Sequence, residues 1–372
     1  MNLVFIFPFC SPGVNSISGG PIYIGSTEHN VLIVTAQAAN ALKGDVTAPP
    51  SEFVGGTEFY RPYSHSRNIY ADDKACRQDV DEKIRAFKPD IIVGFGEFNF
   101  RLPLRLSREL ALPLYLYMEY LRPEKIAFPL RGRSHLRKIL PAVCDWLANQ
   151  YLRYLAKNTE AIMYAYFGDK KQEKKIEYYG GQAHYVPWCT EVGVPDEAII
   201  RKRKTGIYIG SLEEFKNSAE LIKAIPIILD RTDTEQFIVV GPGSYAPQIK
   251  QLVDQYGKKL IYIESVPREE AMKLLCSAGY GYTPVTDCGL GFIGDCWGTG
   301  TPLVATHELE GFLEKGMDTI VADGYRDLPR VINALLASDD QFTHCQQQAK
   351  ARYNKDYTAE AVGKKYLNIF KS

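Results

Sequence analysis

PVTDCGLGFIGDCWGTGTP, residues 284–302, sets three glycines between two aspartates, Asp287 and Asp295. The run 289–294 matches G-x-G-x-x-G, the turn that presents backbone N–H groups to the pyrophosphate of a dinucleotide. Only eight residues separate the last of these glycines from the next apolar run at Leu303. That distance is too short for the usual crossover helix and its loop. The spacing therefore disfavours a dinucleotide turn, although NAD binding stays open as an alternative.

A second interpretation assigns the ligand-binding role of this stretch to the two aspartates. Asp287 follows a predicted strand, and Asp295 falls in the short helix that we expect next. Glycines let a backbone approach a ligand closely, and successive N–H groups bind phosphate oxygens. The amides in question belong to Gly289, Leu290 and Gly291. A carboxylate one turn into the helix can accept hydrogen bonds from the vicinal hydroxyls of a ribose, so the stretch predicts a nucleotide-sugar loop.

The composition is that of a soluble globular protein, with 45% hydrophobic and 24% charged residues among 372. This length predicts two domains. A formal net charge of zero argues against nucleic-acid binding through bulk charge. The eight cysteines contain no C-x-x-C pair and the six histidines show no metal spacing, which indicates reduced thiols and no metal site. We expect a cytoplasmic protein, since the apolar N-terminus is too short for a signal peptide.

Short apolar runs alternate with amphipathic ones along the whole chain, which predicts an α/β fold with doubly wound parallel sheets. The predicted strands are Leu3–Phe7, Val31–Thr35, Ile91–Phe95, Leu114–Tyr117, Ala161–Tyr164, Gly206–Ile209, Phe237–Val240, Leu260–Ile263, Gly281–Pro284 and Leu303–Thr306. The predicted helices include Ser218–Ile228, Tyr245–Tyr256 and Glu269–Ser277. Ligands of such sheets bind beyond the carboxyl ends of the strands.

A break in this pattern divides the chain. Residues 186–204 contain two prolines and a basic run, and they predict a linker. We expect one Rossmann-like domain over 1–185 and a second, nucleotide-sugar-binding one over 205–355. The last helix, within 356–372, could pack back on the first domain. With two such domains, the ligand is expected in a cleft between them.

Several stretches resemble one enzyme family. D-x7-D followed by G-T-G-T-P-L-V is similar to the E-x7-E stretch of family-4 retaining glycosyltransferases, and YIGSLEEFKNSAELIKAI (208–225) resembles their G-R-L-x-x-x-K-N segment. Three more stretches match in order: FIVVGPGSY (237–245), YIESVPREEAMKLLCSA (262–278) and GFLEKGMDTIVADG (311–324). The resemblance covers about 205–325. It implies the GT-B fold, in which two Rossmann-like domains face a central cleft.

The resemblance also implies roles for single residues. Lys216 falls on the lysine that holds the donor diphosphate, and Ser211 stands where the family has an arginine. Asp295 would hold the ribose and Asp287 the hydroxyls of the donor sugar, although both are one methylene shorter than the family glutamates. The backbone around Val266 is expected to meet the nucleobase.

The N-terminal half resembles the family less. In SISGGPIY (16–23), Gly20 would lie on a loop that approaches the donor, or else on a plain turn. Ten residues separate it from the strand at Val31, which predicts a shortened or missing first helix. Glu97 and Asn99 follow a strand and are candidates for the acceptor side.

Glu119 occupies about the position where the family often has a histidine near the acceptor and the donor sugar. It is a candidate for catalysis and for acceptor binding, or for a salt bridge with Arg122 or Lys125. Residues 122–157 combine basic and apolar side chains, which suits either a solvated helix or a peripheral contact with the inner face of a membrane.

The resemblance implies transfer of a sugar, with retention, from a UDP- or GDP-linked donor to a hydroxyl of a glycan or lipid-linked acceptor. The family needs no essential metal, so we expect neither metal nor cofactor. Two alternatives stay open: an NAD-dependent oxidoreductase, and a nucleotide-sugar-binding protein without activity.

Overall fold

The computed structural model describes residues 1–8, 17–38, 49–65, 69, 72–95, 101–122, 141–190, 192–193, 199–284, 291–307, 313 and 319–372. Within these residues the chain forms two compact units. Unit 1 comprises Met1–Cys189 together with Ala359–Ser372, and unit 2 comprises Thr190–Thr358. The chain thus leaves unit 1 for unit 2 and returns to unit 1 with its last helix.

Unit 1 is built on an eight-stranded sheet with the order β3-β4-β2-β1-β5-β6-β7-β8. Its strands are β1 Asn2–Ile6, β2 Asn30–Ala38, β3 Ser51–Val54, β4 Thr57–His65, β5 Ile91–Phe95, β6 Leu114–Met118, β7 Ala161–Tyr164 and β8 Ala183–Tyr185. All neighbours pair in parallel except β3, which is antiparallel to β4 at the edge. Strands β5, β6 and β7 are buried along their whole length, because helices cover both faces of a parallel sheet.

The hairpin of β3 and β4 was not predicted from the sequence. Its turn consists of Gly55 and Gly56, both with positive φ, the conformation that two-residue hairpin turns require. Phe53 on β3 is exposed, whereas Phe59 on β4 is buried. The edge strand β3 has exposed and charged residues and therefore lacks the continuous apolar run by which the other strands were predicted.

The described helices of unit 1 are α1 Gly19–Gly25, α2 Lys74–Phe87, α3 Arg101–Leu110, α4 Pro141–Ala156, α5 Glu173–Tyr178 and α12 Ala359–Lys371, with a 3-10 helix at Phe167–Gln172. Helix α1 has only seven residues, in agreement with the predicted shortening. It packs against α12, which also contributes Tyr366 and Phe370 to the apolar cluster around β1.

Unit 2 is built on a six-stranded parallel sheet with the order β11-β10-β9-β12-β13-β14. Its strands are β9 Lys202–Ile209, β10 Gln236–Val240, β11 Leu260–Ile263, β12 Ala278–Thr283, β13 Leu303–Ala305 and β14 Thr319–Val321. Strand β9 pairs with β10 on one side and with β12 on the other. The chain order therefore reverses direction between β9 and β12, which is the topological switch point of the sheet.

The described helices of unit 2 are α6 Ser218–Arg231, α7 Ala246–Tyr256, α8 Arg268–Ser277, α9 Gly291–Thr299, α10 Leu328–Ala337 and α11 Asp339–Asp356, with 3-10 helices at Glu214–Lys216 and Gly257–Lys259. Each of the ten strands predicted from the sequence overlaps an observed strand. The prediction of an α/β fold with two doubly wound, Rossmann-like domains is confirmed.

Two boundaries differ from the sequence prediction. Strand β9 begins at Lys202, inside the run 186–204 that was predicted to be linker, because alternating charged residues extend the strand beyond its buried half. Helix α9 begins at Gly291, within the glycine run rather than after it. The connection from β12 to β13 therefore includes a helix of nine residues. The short distance between Gly294 and Leu303 was thus a poor argument against a dinucleotide turn.

Candidate active site

Three parallel strands of unit 2 end at one edge of the sheet, and the segments that follow them carry the predicted donor residues. The loop after β9 holds Ser211 and Lys216, the loop after β11 holds Val266, and α9 follows β12. In open α/β sheets, ligands bind outside the carboxyl ends of the strands at the switch point. Here that point lies between β9 and β12, whose loops contain Lys216 and the start of α9.

The loop after β9 is fixed to the loop after β10. The carboxylate of Glu213 accepts hydrogen bonds from the backbone N–H of Ser244 at 3.1 Å and from its hydroxyl at 2.6 Å. The N–H of Leu212 also donates to the carbonyl of Pro242 at 2.8 Å. At Gly243, whose φ is +153°, an added Cβ would lie 2.3 Å from the Leu212 carbonyl oxygen, so only glycine fits this approach.

Asn217 fixes the other end of the same loop. It adopts a left-handed conformation, with φ 59° and ψ 36°, between the 3-10 helix and α6. Its side-chain amide donates to the carbonyl of Pro284 at 2.8 Å, which ties the loop to the end of β12. The half-buried Lys216 precedes it, with the ammonium 5.4 Å from the ring centroid of the exposed Phe215. These anchors place a lysine at the switch point.

Asp295 lies in α9 with its side chain 4% exposed, and it is paired with Arg268. Both guanidinium NH2 groups donate to it, Nη1 to Oδ2 and Nη2 to Oδ1, each at 2.5 Å. Arg268 is the first residue of α8, in the segment that follows Val266. The sequence predicted a nucleotide contact for Asp295 and for the backbone around Val266, but it did not reveal that Arg268 binds Asp295.

The other predicted donor residues fall partly within the described chain. Ser211 and Val266 are half-buried, and the carbonyl of Ser211 accepts a hydrogen bond from the Tyr208 hydroxyl at 3.3 Å. Gly291 is exposed at the start of α9, and nothing lies within 4 Å of the position of an added Cβ. The three further candidates of this loop lie outside the described residues: Asp287, Gly289 and Leu290.

In unit 1, Gly20 lies in a helix and is buried. An added Cβ would come within 2.9 Å of Val362 Cγ1 and 3.0 Å of Tyr366 Cε2, both on α12. Close packing of two helices therefore gives this position a structural reason to be glycine. Its predicted contact with a donor stays a prediction.

Glu119 is half-buried directly after β6, where its carbonyl accepts the N–H of Tyr166 at 3.2 Å. Arg122, which was considered as a salt-bridge partner of Glu119, forms an ion pair with Asp169, with its Nε 2.6 Å from Asp169 Oδ1. The other acceptor-side candidates, Glu97 and Asn99, lie outside the described residues.

Asp169 is the residue that the sequence analysis missed on this side. Its fully buried carboxylate also accepts the N–H of Leu121 at 2.6 Å, and it thereby fixes the segment that follows Glu119. Burial raises the pKa of Asp169 to about 6, against the opposing effects of its hydrogen bonds and of Arg122. No sequence motif marks this residue, because its partners lie 47 and 48 positions away.

The described part of the chain contains no group of three or more His, Cys, Asp or Glu side chains that could hold a metal ion. None of its helices is long and apolar enough to cross a membrane. The segments at this edge of the sheet of unit 2 bring a lysine, a buried carboxylate with its arginine, and loop backbone, and such groups can bind phosphate and hydroxyl groups.

Comparison with known proteins agrees with this geometry. Residues 203–338 match the family described as glycosyl transferases group 1. A search of curated protein sequences gave no match. The family match covers β9 through α10, and it does not favour the dinucleotide-binding alternative.

Solved glycosyltransferase structures share the fold of the whole chain at low identity. Sucrose-phosphate synthase from Thermosynechococcus elongatus has a TM-score of 0.70 at 14% identity, covering 100% of this chain and 98% of that one. HepE from Anabaena in complex with UDP has a TM-score of 0.65 at 12% identity, with 100% of both chains covered. A UDP-forming trehalose-phosphate synthase from Burkholderia xenovorans has a TM-score of 0.63 at 14% identity, covering 100% and 98%.

The resemblance to family-4 glycosyltransferases is confirmed by the family match together with the fold. The chain therefore has the fold of the solved GT-B glycosyltransferases, and its residues 203–338 match the family described as glycosyl transferases group 1.

Proposed function

We propose that the enzyme transfers a sugar, with retention of configuration, from a nucleoside diphosphate sugar to a hydroxyl of a glycan or lipid-linked acceptor. The observation that carries this proposal is the placement of Lys216 at the switch point of a sheet whose sequence matches a glycosyltransferase family. UDP is the first nucleotide to test and GDP the second, since HepE binds UDP and the trehalose-phosphate synthase is UDP-forming.

The chemical problem in this reaction is the charge that develops on the leaving diphosphate. Fixed donors that face such a charge lower the barrier because they need no reorganisation during the reaction. Lys216 supplies one donor, since Glu213 and Asn217 hold the loop on both sides of it. The amides of 289–291 are predicted from the sequence to supply others, and Gly291 is the one of these that the structure describes. Asp287 would accept hydrogen bonds from the hydroxyls of the donor sugar.

In this proposal retention follows from attack on the same face of the sugar that the diphosphate leaves. The acceptor hydroxyl loses its proton to the departing phosphate oxygen, so no strong base is required. Glu119 would bind the acceptor hydroxyl and support the positive charge that develops on the sugar. Its position at the carboxyl end of β6 supports an acceptor-side role.

We further propose that no metal ion is essential, because Lys216 and backbone amides can meet the diphosphate charge. Activity that is unchanged by EDTA is the expected result. Loss of activity with EDTA and its recovery with Mg²⁺ or Mn²⁺ would contradict this part of the proposal.

The central experiment is calorimetric titration of UDP and GDP, followed by assay of sugar release from their common sugar conjugates. We expect Lys216→Ala to weaken diphosphate binding by about ten- to a hundredfold, the value of one charge-assisted hydrogen bond. Turnover of the donor should fall as well. Thermal unfolding should change little, because Lys216 is only half-buried.

Lys204→Ala is the matched control, since Lys204 forms an ion pair with Glu235 near the amino end of β9, at the opposite edge of the sheet. It should bind UDP as the wild type does. Unchanged UDP affinity in Lys216→Ala would remove the diphosphate role. Binding of NAD without any binding of nucleoside diphosphates would contradict the proposed function itself.

We also propose a peripheral membrane contact through α4. One face of this helix exposes Val143, Trp146 and Tyr154, with exposed fractions of 49%, 59% and 44%. The exposed Arg153 and Lys157 lie beside them. Aromatic and basic side chains on one helix face suit the headgroup region of an anionic membrane.

Sedimentation with phosphatidylglycerol vesicles tests this contact. We expect the wild type to sediment with these vesicles and not with neutral ones, and Trp146→Ala to bind several-fold more weakly. Phe53→Ala is the control, because Phe53 is also exposed but lies on the β3 hairpin. Equal sedimentation of all three proteins would refute a contact through α4.

A further inference from the structure

We propose that Glu213 is a positioning residue of the donor site, which holds the 3-10 turn Glu214–Lys216 in place through Ser244. The inference rests on the proposed function and deepens it, because it assigns the orientation of the diphosphate-binding lysine to two residues outside the predicted site. It predicts that loss of the negative charge of Glu213 weakens the binding of an anion. Electrostatic repulsion alone predicts the opposite sign.

The side chain of Glu213 ties two loops of unit 2 together. Its Oε1 accepts the backbone N–H of Ser244 at 3.1 Å, and its Oε2 accepts the Ser244 hydroxyl at 2.6 Å. Hydrogen bonds to an ionised carboxylate are stronger than those between neutral groups, and two donors on separate oxygens also fix its plane. Among the residues that the structure describes, this carboxylate bonds to Ser244 alone.

The backbone of Glu213 carries the constraint to Lys216. Its carbonyl accepts the N–H of Lys216 at 3.0 Å, the hydrogen bond that closes the 3-10 turn. The same carbonyl accepts the hydroxyl of Ser218, the first residue of α6, at 2.9 Å. Glu213 itself is extended, with φ −122° and ψ 161°. One residue therefore joins the loop after β10 to the turn of the lysine.

The turn needs such a tether because a single 3-10 turn has little stability by itself. In the described chain, the backbone hydrogen bonds between the loops after β9 and β10 end at Leu212, whose N–H donates to the carbonyl of Pro242 at 2.8 Å. Beyond Leu212, the carboxylate of Glu213 is the next link between the two loops. Without this link, the turn would depend on the contact of Asn217 with Pro284 on its other side.

Lys216 is the residue that gains from this support. Within the described ranges its ammonium forms neither a hydrogen bond nor an ion pair, and it lies 5.4 Å from the ring centroid of the exposed Phe215. A flexible four-carbon side chain loses conformational freedom when it binds a phosphate. A backbone that is already fixed lowers the entropy that binding must remove, so the tether should strengthen diphosphate binding.

The neighbouring residue provides a matched control. Glu214 carries the same charge in the same turn, but it is exposed, and its carboxylate has no bonded partner among the described residues. Replacement of either glutamate by alanine removes one negative charge close in sequence to Lys216, yet only Glu213→Ala releases Ser244. The difference between the two variants therefore separates the tether from the charge.

The test measures UDP affinity by calorimetry and uridine affinity by ligand-observed NMR. We expect Glu213→Ala to weaken UDP binding by about three- to tenfold, the value of one hydrogen bond. Glu214→Ala should bind UDP as the wild type does, or up to about twofold more tightly, because solvent screens an exposed charge. Uridine lacks the diphosphate, so its affinity should be the same in all three proteins. If the wild type binds GDP rather than UDP, GDP and guanosine replace these ligands.

A double-mutant cycle shows whether Glu213 acts through Lys216. In the background of Lys216→Ala, Glu213→Ala should weaken UDP binding by less than about twofold, because the group that it positions is gone. Ser244→Ala removes the hydroxyl donor and keeps the backbone N–H, so it should weaken UDP binding by about two- to threefold.

Three results would overturn the inference. Unchanged or tighter UDP binding in Glu213→Ala would mean that the carboxylate acts as a charge alone. Equal weakening of UDP and uridine would indicate general damage to unit 2. Additive effects of Glu213→Ala and Lys216→Ala would show that the two residues act independently. If Glu213→Ala fails to fold, Ser244→Ala carries the same comparisons, since Ser244 is exposed.

The experiment also separates this inference from the proposed function. Wild-type protein that binds none of UDP, GDP or ADP would refute the proposed function, and with it the basis for this inference. Wild-type protein that binds UDP, together with Glu213→Ala that binds it equally well, would refute only the positioning of Lys216 by Glu213.

Discussion

At the scale of single residues, the structure repeatedly uses a buried carboxylate to organise a loop. Asp169 accepts the N–H of Leu121 and pairs with Arg122, whose guanidinium lies 4.4 Å from the ring centroid of Tyr166. In unit 2, the buried carboxylate of Asp295 accepts hydrogen bonds from both Nη1 and Nη2 of Arg268, which begins another helix. In both places an arginine offsets the cost of burying a carboxylate, and at Asp169 the carboxylate also holds the backbone of Leu121.

The raised pKa of Asp169 predicts a pH dependence of stability. The folded protein binds a proton on this residue more tightly than the unfolded chain does, because the folded pKa of about 6 exceeds the ordinary 3.8. The contribution of Asp169 to the free energy of unfolding therefore falls as pH rises from about 4 to about 6, and it is constant outside that range.

Urea unfolding of the wild type and of Asp169→Asn, between pH 4 and pH 7, isolates this contribution from other groups. Asparagine does not titrate, so the stability of the wild type relative to the variant should decrease across this interval. A relative stability that is constant or that increases with pH would show that Asp169 titrates at its ordinary pKa or below it.

At the scale of secondary-structure elements, the contact of α1 with α12 depends on small residues on both helices. An added Cβ at Gly20 would press on Val362, and one at Gly363 would lie 2.5 Å from Tyr23 Cδ1. Helices that approach this closely bury much apolar surface for their length. The short α1 is thereby held in place although seven residues do not form a stable helix by themselves.

Gly20→Ala tests this contact. Alanine gains up to about 1 kcal/mol over glycine within a helix, but overpacking a buried contact costs about 1–3 kcal/mol. We expect a net loss of stability by urea unfolding. Gly193→Ala is the control, because nothing lies within 4 Å of the position of its added Cβ. Equal stability of Gly20→Ala and the wild type would mean that α1 and α12 can separate at no cost.

At the scale of the whole molecule, the chain closes unit 1 with its last residues. Helix α12 buries Val362, Tyr366, Ile369 and Phe370. Tyr366 meets Phe5 edge to face at 5.7 Å between ring centroids, and Phe370 meets Tyr115 at 4.9 Å. Strand β1 and helix α12 therefore belong to one core, so the core of unit 1 is complete only with residues 359–371.

Deletion of residues 359–372 should therefore destabilise unit 1. Burial of each of the four apolar side chains contributes about 1.5–3 kcal/mol, and the total is comparable with the stability of a whole domain. We expect a large fall in the melting temperature, or aggregation, in differential scanning calorimetry. A melting profile identical to that of the full chain would show that α12 contributes nothing to the core of unit 1.

The sequence by itself determined the parts of this protein that depend on local pattern. Continuous apolar runs located ten strands, and the ordered motifs from 208 to 324 identified the family and the loop of Lys216. Strands β3, β4, β8 and β14 and the start of β9 were not recognised. Strands β8 and β14 have only three residues each, and the exposed residues of β3 and the charged start of β9 resemble a loop. The family resemblance also predicted a donor-binding role for Asp295, which stays a prediction.

Only the tertiary structure decided which residues these motifs meet. Arg268 and Asp295 are 27 positions apart, Asp169 and Leu121 are 48 apart, and Gly20 packs against Val362 from the far end of the chain. No local pattern specifies such pairs, because each depends on how helices and strands pack after their formation. Packing brings a buried charge to its partner and leaves no room for a side chain at Gly20.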